Sequence, residues 1–309
     1  MRYIEFGNQK AKVSEIVVGC MCIANMTTEE GEKFIDAALT EGINAFDLAD
    51  IYGGGRSEKV IGSVLERRPD LREKMWIQSK CGIRHADGYG FFDFSKEHII
   101  EATEGILSRL KTDHLDSLLL HRPDALMEPD EVADAFETLK KAGKVLDFGV
   151  SNMNPIQIQL LSKEMSMPIA CDQLQLSPAF TPSFNDGFNV NMENDAGIVR
   201  GSGIFEYCHL NDIVIQSWSS LQYGYFEGTY LCNEKFPKLN AVLDRMAAEK
   251  GVTPAAIALS WILRYPAKMQ AIIGTTKIQR VQEAARACDF TLTRQEWYEI
   301  YAAAGNQLP

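Results

Sequence analysis

The feature that most constrains the fold is a regular alternation of short apolar segments with amphipathic stretches. Eight segments have the apolar runs typical of buried strands, namely EIVVGC, NAFDLA, WIQSKCG, SLLLHR, LDFGVS, CDQLQL, IVIQSWS and QAIIGT. Helical spacing of apolar residues marks the intervening stretches, among them 27–42, SEKVIGSVLERR, EHIIEATEGILSRL, DEVADAFETLKKAG and TPAAIALSWILR. Eight strands that each precede a helix predict an α/β fold, a closed (β/α)8 TIM barrel rather than an open sheet.

The length of the chain agrees with this architecture. A chain of 309 residues with 46% hydrophobic content and no obvious linker predicts one barrel domain over residues 1–309. The segment YIEFGNQKAKV predicts a hairpin that closes the bottom of the barrel. Residues 177–203 predict a long loop after the sixth strand, whose Phe180, Phe184 and Phe188 either wall a substrate pocket or fix the loop to the barrel.

Charge and cysteine usage narrow the class of protein. A formal net charge of −11 disfavours nucleic acid and anionic membranes as partners. No signal peptide or membrane-spanning stretch is evident, so a cytoplasmic protein is the expectation. The seven cysteines and five histidines lack metal-ligand spacing, which predicts reduced thiols and no bound metal. A small molecule is the expected partner, and the oligomeric state stays open.

Polar side chains lie where the predicted strands end. In such a barrel the active site lies at the C-terminal ends of the strands, so these side chains should surround one mouth. They are Asp47 after the second strand, Lys80 in the third, His121 after the fourth, Ser151 and Asn152 after the fifth, Gln173 in the sixth and Trp218 in the seventh.

Three of these residues, together with the nearby Tyr52, fit the reduction of a carbonyl group. Such a reduction needs a proton donor at the carbonyl oxygen, and Tyr52 is the candidate. Lys80 would lower the pKa of Tyr52 by favouring the phenolate, and Asp47 would keep Lys80 protonated and oriented. A neutral His121 would donate a hydrogen bond to the substrate oxygen.

These residues and their contexts resemble the aldo-keto reductases, in particular their bacterial oxidoreductases. The resemblance rests on the stretch from Asp47 to Glu58, on QSKCG, LLLHRPD, VVGCM, GVSNM and DQLQLSP, and on IIGTTKIQRVQE. It implies that Asp47, Tyr52, Lys80 and His121 form a catalytic tetrad and that NADPH lies across the barrel mouth. The sequence contains no Rossmann fingerprint, because the glycines at 53–55 are followed by Arg-Ser-Glu instead of the third glycine of that motif. This agrees with a cofactor that is bound without a Rossmann domain.

The resemblance also implies a cofactor site. Ser151, Asn152 and Gln173 would hold the nicotinamide carboxamide, and Trp218 would stack on the ring, where many relatives have tyrosine. Lys277 and Arg280, near the start of the final helix, suit a phosphate and favour NADPH over NADH. Ala284 stands where an asparagine commonly reads the adenine. The remaining expected cofactor contacts are Cys20, Met21, Ser219, Leu221, Gly274, Thr275, Thr276 and Glu283.

The sequence therefore predicts NADPH-dependent reduction of aldehydes or ketones to alcohols, with alternatives. Some proteins of this family bind NADP and act through partners, so a regulatory subunit with slow chemistry is the alternative function. A barrel isomerase or aldolase with Lys80 as a Schiff base is the third. Taken singly, His121 and Trp218 also fit core packing, Asp47 a turn and Lys80 a solvated strand end.

Overall fold

A computed structural model describes residues 1–86 and 88–309 of the chain. Eight parallel strands close into a barrel in the order β10-β11-β12-β3-β4-β5-β8-β9. The strands are β1 (Tyr3–Phe6), β2 (Ala11–Ser14), β3 (Ile16–Gly19), β4 (Ala45–Asp47), β5 (Trp76–Cys81), β6 (Ile83–Ala86), β7 (Tyr89–Phe92), β8 (Leu115–Leu120), β9 (Val145–Ser151), β10 (Cys171–Gln175), β11 (Val214–Trp218) and β12 (Met269–Ile273).

Each of the eight predicted strands forms one strand of the barrel, so the predicted (β/α)8 fold is confirmed. Their apolar residues are buried on both faces, as expected for parallel strands that are covered by helices. The C-terminal ends of these strands form the mouth of the barrel.

The helices surround the barrel and follow its strands. They are α1 (Thr28–Thr40), α2 (Arg56–Arg67), α3 (Lys96–Leu110), α4 (Pro129–Lys141), α5 (Pro155–Glu164), α6 (Pro182–Phe188), α7 (Ile204–Leu210), α8 (Pro237–Lys250), α9 (Pro254–Leu263), α10 (Ile278–Ala285) and α11 (Arg294–Ala303). Helix α10, which was expected to be the last, is followed by α11. Short 3-10 turns lie at Cys20–Ile23, Pro69–Lys74, Asp195–Gly197 and Arg286–Cys288.

Local sequence explains how α1 begins and how closely α2 packs. Thr27 and Glu30 form a reciprocal capping box at the start of α1, so two otherwise unpaired backbone N–H groups have partners. In α2, a Cβ at Gly62 would lie 2.0 Å from the carbonyl oxygen of Arg109. Only glycine allows α2 and α3 to approach this closely.

Two antiparallel hairpins flank the barrel. β1 and β2 pair as predicted, and their turn contacts β9 through a hydrogen bond of 3.0 Å from the Asn8 amide to Asp147. Phe6 packs on Trp76 at the start of β5, with ring centroids 4.5 Å apart, so this hairpin covers the bottom of the barrel. The second hairpin, β6 with β7, follows β5 at the mouth and was not predicted from the sequence.

The segment 177–203 is partly helical rather than a plain loop. It contains α6 and the 3-10 turn at Asp195–Gly197. Phe184 is buried and packs on Phe205 and Trp261, and Phe188 packs on Trp297. These contacts favour the interpretation that the aromatic residues fix the segment to the outside of the barrel. Among the described residues, no helix is both long and apolar enough to cross a membrane.

Candidate active site

The side chain of Lys80 joins the predicted tetrad at the mouth. Its ammonium donates hydrogen bonds to Asp47 Oδ2 at 2.7 Å, to the carbonyl oxygen of Leu48 at 2.8 Å and to the Tyr52 hydroxyl at 3.0 Å. Asp47 ends β4, Lys80 lies one residue before the end of β5, and Tyr52 follows in the turn that precedes α2. Strand register and one turn therefore bring three titratable groups together.

Burial sets the protonation states of this group. Burial by itself would lower the pKa of Lys80, but the adjacent Asp47 and Tyr52 together outweigh it, so the pKa of Lys80 is raised and the ammonium stays charged. Burial also raises the pKa of Tyr52, and Lys80 offsets this only in part. Lys80 thus acts on the pKa of Tyr52 in the expected direction, but burial outweighs it in the free protein, so the net pKa lies above its usual value. Tyr52 holds its proton at neutral pH.

His121 completes the tetrad from the next strand. It directly follows β8 and is 7% exposed, and its ring meets Tyr52 edge to face with centroids 5.9 Å apart. Burial, together with the charges of Lys80 and Arg122, lowers the pKa of His121 well below its usual value. The imidazole is therefore neutral at pH 7, as expected for a hydrogen-bond donor, and its Nδ1 is buried without a hydrogen-bond partner among the described residues.

The burial of Asp47 and Lys80 bears on the other interpretations of these residues. Lys80 is fully buried and Asp47 is 2% exposed, so neither is a solvated turn or strand end. An amine must be neutral to attack a carbonyl carbon, whereas Lys80 has a raised pKa and three acceptors. The geometry therefore disfavours a Schiff base on Lys80.

The residues expected to hold the nicotinamide lie side by side across the mouth. Asn152, with φ of +55°, donates to Ser151 Oγ at 2.7 Å and accepts from Trp218 Nε1 at 3.3 Å. Ser151 Oγ in turn donates to the backbone oxygen of Gln173 at 2.9 Å. The bond to Asn152 holds the half-buried Trp218 at the mouth, where the indole also packs against the barrel core.

Only part of the Gln173 side chain is available for its expected contact with the nicotinamide carboxamide. Its amide nitrogen donates to Asp47 Oδ1 at 2.9 Å and to Gln216 Oε1 at 3.0 Å. Both amide hydrogens are thus used inside the barrel, and Oε1 is the atom left to accept a bond. Gln173 connects the tetrad with the expected carboxamide site.

The expected phosphate site lies between β12 and α10. Gly274, Thr276, Lys277 and Arg280 are exposed, and Thr275 is half-buried. Neither Lys277 nor Arg280 makes an ion pair within the described part of the chain, although the adjacent Arg286 pairs with Glu41 and Asp289. A Cβ at Gly274 would meet no atom within 4 Å, so there is room beside this loop.

The other expected cofactor contacts differ in exposure and in the polar groups that are free to bind a cofactor. Met21 is 45% exposed at the mouth, but Cys20 is buried and its thiol contacts the Val18 carbonyl oxygen, so the expected Cys20 contact is reduced to its backbone. Ser219 and Leu221 are half-buried just after β11. Glu283 accepts from Gln279 at 2.8 Å. Ala284 is buried and offers no polar group for an adenine.

Some residues near the site were not predicted from the sequence. Gln78 and Gln216 bond each other inside the barrel, and Gln78 also donates to Asp47 Oδ1 at 2.6 Å. Asp172 is fully buried behind the Ser151–Asn152 turn. Arg122 lies with its guanidinium 5.0 Å from the centroid of the Trp218 ring. Arg122 directly follows His121 in LLLHRPD, which was the only signal for it in the sequence.

Comparison with known proteins decides the family. Residues 15–304 match the Aldo/keto reductase family. The chain belongs to this family. It is 37% identical to "Oxidoreductase YdhF" of Escherichia coli, over 91% of this chain and 89% of that protein. It is 34% identical to a 6-dehydroglucose reductase of Agrobacterium fabrum, over 96% of each chain.

Solved structures agree on the fold. An aldo-keto reductase of Klebsiella pneumoniae in complex with NADPH superposes with a TM-score of 0.80 at 23% identity, covering 100% of this chain and 96% of that one. The predictions that this chain resembles the aldo-keto reductases and is an oxidoreductase are confirmed. Within residues 1–86 and 88–309, no cluster of three or more histidine, cysteine or acidic side chains is arranged to hold a metal ion.

Proposed function

We propose that this protein reduces aldehydes or ketones to alcohols with NADPH, and that Tyr52 supplies the proton. The observation that carries the proposal is the buried contact of a protonated Tyr52 with Lys80 at 3.0 Å, beside a neutral His121. Such an arrangement would offer two hydrogen-bond donors to one carbonyl oxygen at the barrel mouth.

Each residue of the tetrad has a separate role in the proposed reduction of the carbonyl group. NADPH, when held at the mouth by Ser151, Asn152, Gln173 and Trp218, would supply a hydride for the carbonyl carbon. His121 donates a hydrogen bond that orients the carbonyl oxygen, and the Tyr52 hydroxyl gives that oxygen a proton. The Lys80 ammonium stabilises the phenolate that remains on Tyr52, and Asp47 keeps Lys80 charged and in place. A proton from solvent then restores Tyr52.

The residues at the mouth fit the cofactor. Gln173 Oε1 and the Ser151–Asn152 turn provide polar partners for a carboxamide, beside the indole of Trp218. Lys277 and Arg280 lack acidic partners among the described residues and so are available to a phosphate, which favours NADPH over NADH. Met21, Ser219, Leu221, Gly274, Thr275, Thr276 and Glu283 would border the same cofactor.

The test compares native protein with Tyr52→Phe. NADPH oxidation, and separately NADH oxidation, is followed with a panel of aldehydes, ketones and quinones that includes sugar-derived aldehydes, because one relative is a 6-dehydroglucose reductase. Tyr52→Phe should lower kcat by about 10²- to 10⁴-fold and leave the Kd for NADPH nearly unchanged. Tyr298→Phe, on α11 outside the mouth, is the matched control.

The outcomes separate the two candidate functions. NADPH-dependent turnover that is lost in Tyr52→Phe supports the reductase. Full activity of Tyr52→Phe would show that another group gives the proton. Tight NADPH binding without turnover on any compound would favour the alternative, an NADP-binding regulatory subunit.

A further inference from the structure

Arg122 is unusual among the arginines of this protein. It is half-buried at the mouth, yet within residues 1–86 and 88–309 its guanidinium has neither an ion pair nor a hydrogen bond. Other half-buried arginines each donate to a carboxylate or a carbonyl oxygen, namely Arg2, Arg68, Arg72, Arg109 and Arg264. A partly desolvated guanidinium without an acceptor is costly unless a ligand provides one.

The chain has a carboxylate near Arg122 but uses it elsewhere. Asp124, two residues further on, accepts from the backbone amides of Phe94 at 3.0 Å and Leu126 at 2.8 Å. Asp47 is also engaged elsewhere, since it accepts from the Lys80 ammonium. Within the described part of the chain, Arg122 therefore has no counter-charge beside His121, and its charge contributes to the lowered pKa of His121.

Trp218 fixes where Arg122 lies. The guanidinium is 5.0 Å from the centroid of the Trp218 ring, within the range of a cation–π contact. Trp218 is itself held by its bond to Asn152. A guanidinium that packs on a ring face keeps its N–H groups free at its edge, so Arg122 offers directed donors beside His121, the residue proposed to orient the carbonyl oxygen.

We infer that Arg122 is a specificity-determining residue, which selects carbonyl compounds that carry acceptor oxygens close to the carbonyl group. Hydroxylated aldehydes of the sugar type and aldehydes with a carboxylate share this chemistry, since both place oxygens where the guanidinium can donate to them. Plain alkyl aldehydes would leave these donors without partners and should react less efficiently. The inference rests on the proposed reductase function and names its substrate class.

The test uses two matched pairs of substrates. Glyceraldehyde and propanal have the same chain length and differ in hydroxyl groups, and succinic semialdehyde and butanal differ at the end that carries the carboxylate. For each pair we would measure the ratio of kcat/KM with NADPH. This ratio cancels any effect of a variant on folding, on NADPH binding or on His121, because these effects act on both members of a pair.

Arg122→Met keeps a long apolar side chain but removes the donors, and Arg122→Lys keeps the charge without the fork of N–H groups. We expect Arg122→Met to lower at least one ratio by about tenfold or more. Arg122→Lys should lower the same ratio by a smaller factor. Arg294→Met, which removes an exposed arginine at the start of α11, should leave both ratios unchanged.

Each outcome has a meaning. A fall in the glyceraldehyde ratio alone identifies hydroxyl groups as the ligand, a fall in the semialdehyde ratio alone identifies a carboxylate, and a fall in both identifies acceptor oxygens in general. Unchanged ratios in an active Arg122→Met would overturn the inference and leave the reductase intact. No turnover of any of the four compounds by native protein that reduces other members of the panel would overturn the inference alone, whereas no turnover on any compound would overturn the proposed function and the inference with it.

Discussion

Asp47 and Lys80 form a buried ion pair whose two members depend on each other. Lys80 is fully buried and Asp47 is 2% exposed, with 2.7 Å between Nζ and Oδ2. Burial of an unpaired charge costs much more than burial of a pair or of two neutral groups. The pair should therefore show strong coupling when either partner is replaced.

Lys80→Met should lower the free energy of unfolding by about 3–5 kcal/mol, because it leaves the Asp47 carboxylate buried without a counter-charge. Adding Asp47→Asn should recover most of that loss, since no isolated charge remains. Urea unfolding at pH 7 of native protein, both single variants and the double variant gives the coupling energy. Equal midpoints for Lys80→Met and the double variant would show that the charge on Asp47 is not the cause.

Asp172 predicts a pH dependence of stability. It is fully buried, and burial raises its pKa to about 8, although the backbone amides of Met153 and Asn152 lower it in part. The folded protein thus holds this proton more tightly than the unfolded chain, so its contribution to stability is full below pH 3.8 and is lost as the pH rises toward 8.

Asp172→Asn cannot ionise and should lack this part of the pH dependence. We expect the variant to be more stable than native protein at pH 8, by at least about 1 kcal/mol, with the difference shrinking toward pH 4. Thermal unfolding across this range checks it, and Asp244→Asn on the exposed face of α8 is the control. A difference that stays constant with pH would show that Asp172 does not titrate in this range.

At the scale of single elements, α10 and the loop before it form the proposed phosphate site. Lys277 precedes the first turn of α10, Arg280 lies within that turn, and the turn contains no acidic residue. Cations at a helix N-terminus oppose the helix dipole and are stabilised when an anion binds there. A bound phosphate would therefore stabilise Lys277 and Arg280, which are exposed and make no ion pair within the described part of the chain.

Lys277→Ala and Arg280→Ala should each raise the Kd for NADPH by about tenfold and change the Kd for NADH much less, because NADH lacks the additional phosphate. Fluorescence titration at constant ionic strength measures both constants. Arg294→Ala removes an exposed arginine at the start of α11 and should change neither. A parallel rise for both cofactors would place these side chains elsewhere on the cofactor or indicate a general effect of charge.

The sequence was most informative where local pattern and burial agree. The barrel strands were predicted because parallel strands are apolar on both faces. The hairpin of β6 and β7 was missed because most of its residues are exposed and because Arg84 and His85 interrupt β6, so no buried apolar run marks it in the sequence. Helix α6 was missed because its Asn, Asp and Gly residues favour turns, whereas contacts of Phe184 with Trp261 and Phe205 stabilise it.

In the candidate site, too, some residues could be predicted from the sequence and others could not. Asp47, Lys80 and His121 were found because they interrupt apolar strands at one end. Arg122 was not, because only its distance from Trp218 and its lack of a partner among the described residues set it apart. The direction of the Tyr52 pKa also required the degree of burial, which a sequence pattern does not give.

At the scale of the whole molecule, hydrogen bonds connect the bottom of the barrel to its mouth. Gln270 donates to the Ser14 carbonyl oxygen at 2.8 Å and accepts from Gln216 at 2.9 Å. Gln216 exchanges two bonds with Gln78, on the strand directly across the barrel. Gln78 then donates to Asp47 Oδ1 at 2.6 Å. The tetrad is therefore attached to a polar network that runs through the interior.

Gln216→Leu tests whether this network supports the fold. Leucine would leave Gln78, Gln173 and Gln270 with unpaired buried groups, so the free energy of unfolding should fall by about 2–4 kcal/mol. Gln295→Leu, on the exposed side of α11, is the control for the change in residue type. Urea unfolding and kcat with the best carbonyl substrate are both measured. A fall in kcat together with stability would mean that the network also orients Asp47, whereas a loss of stability alone would mean that Lys80 suffices to hold Asp47 in place.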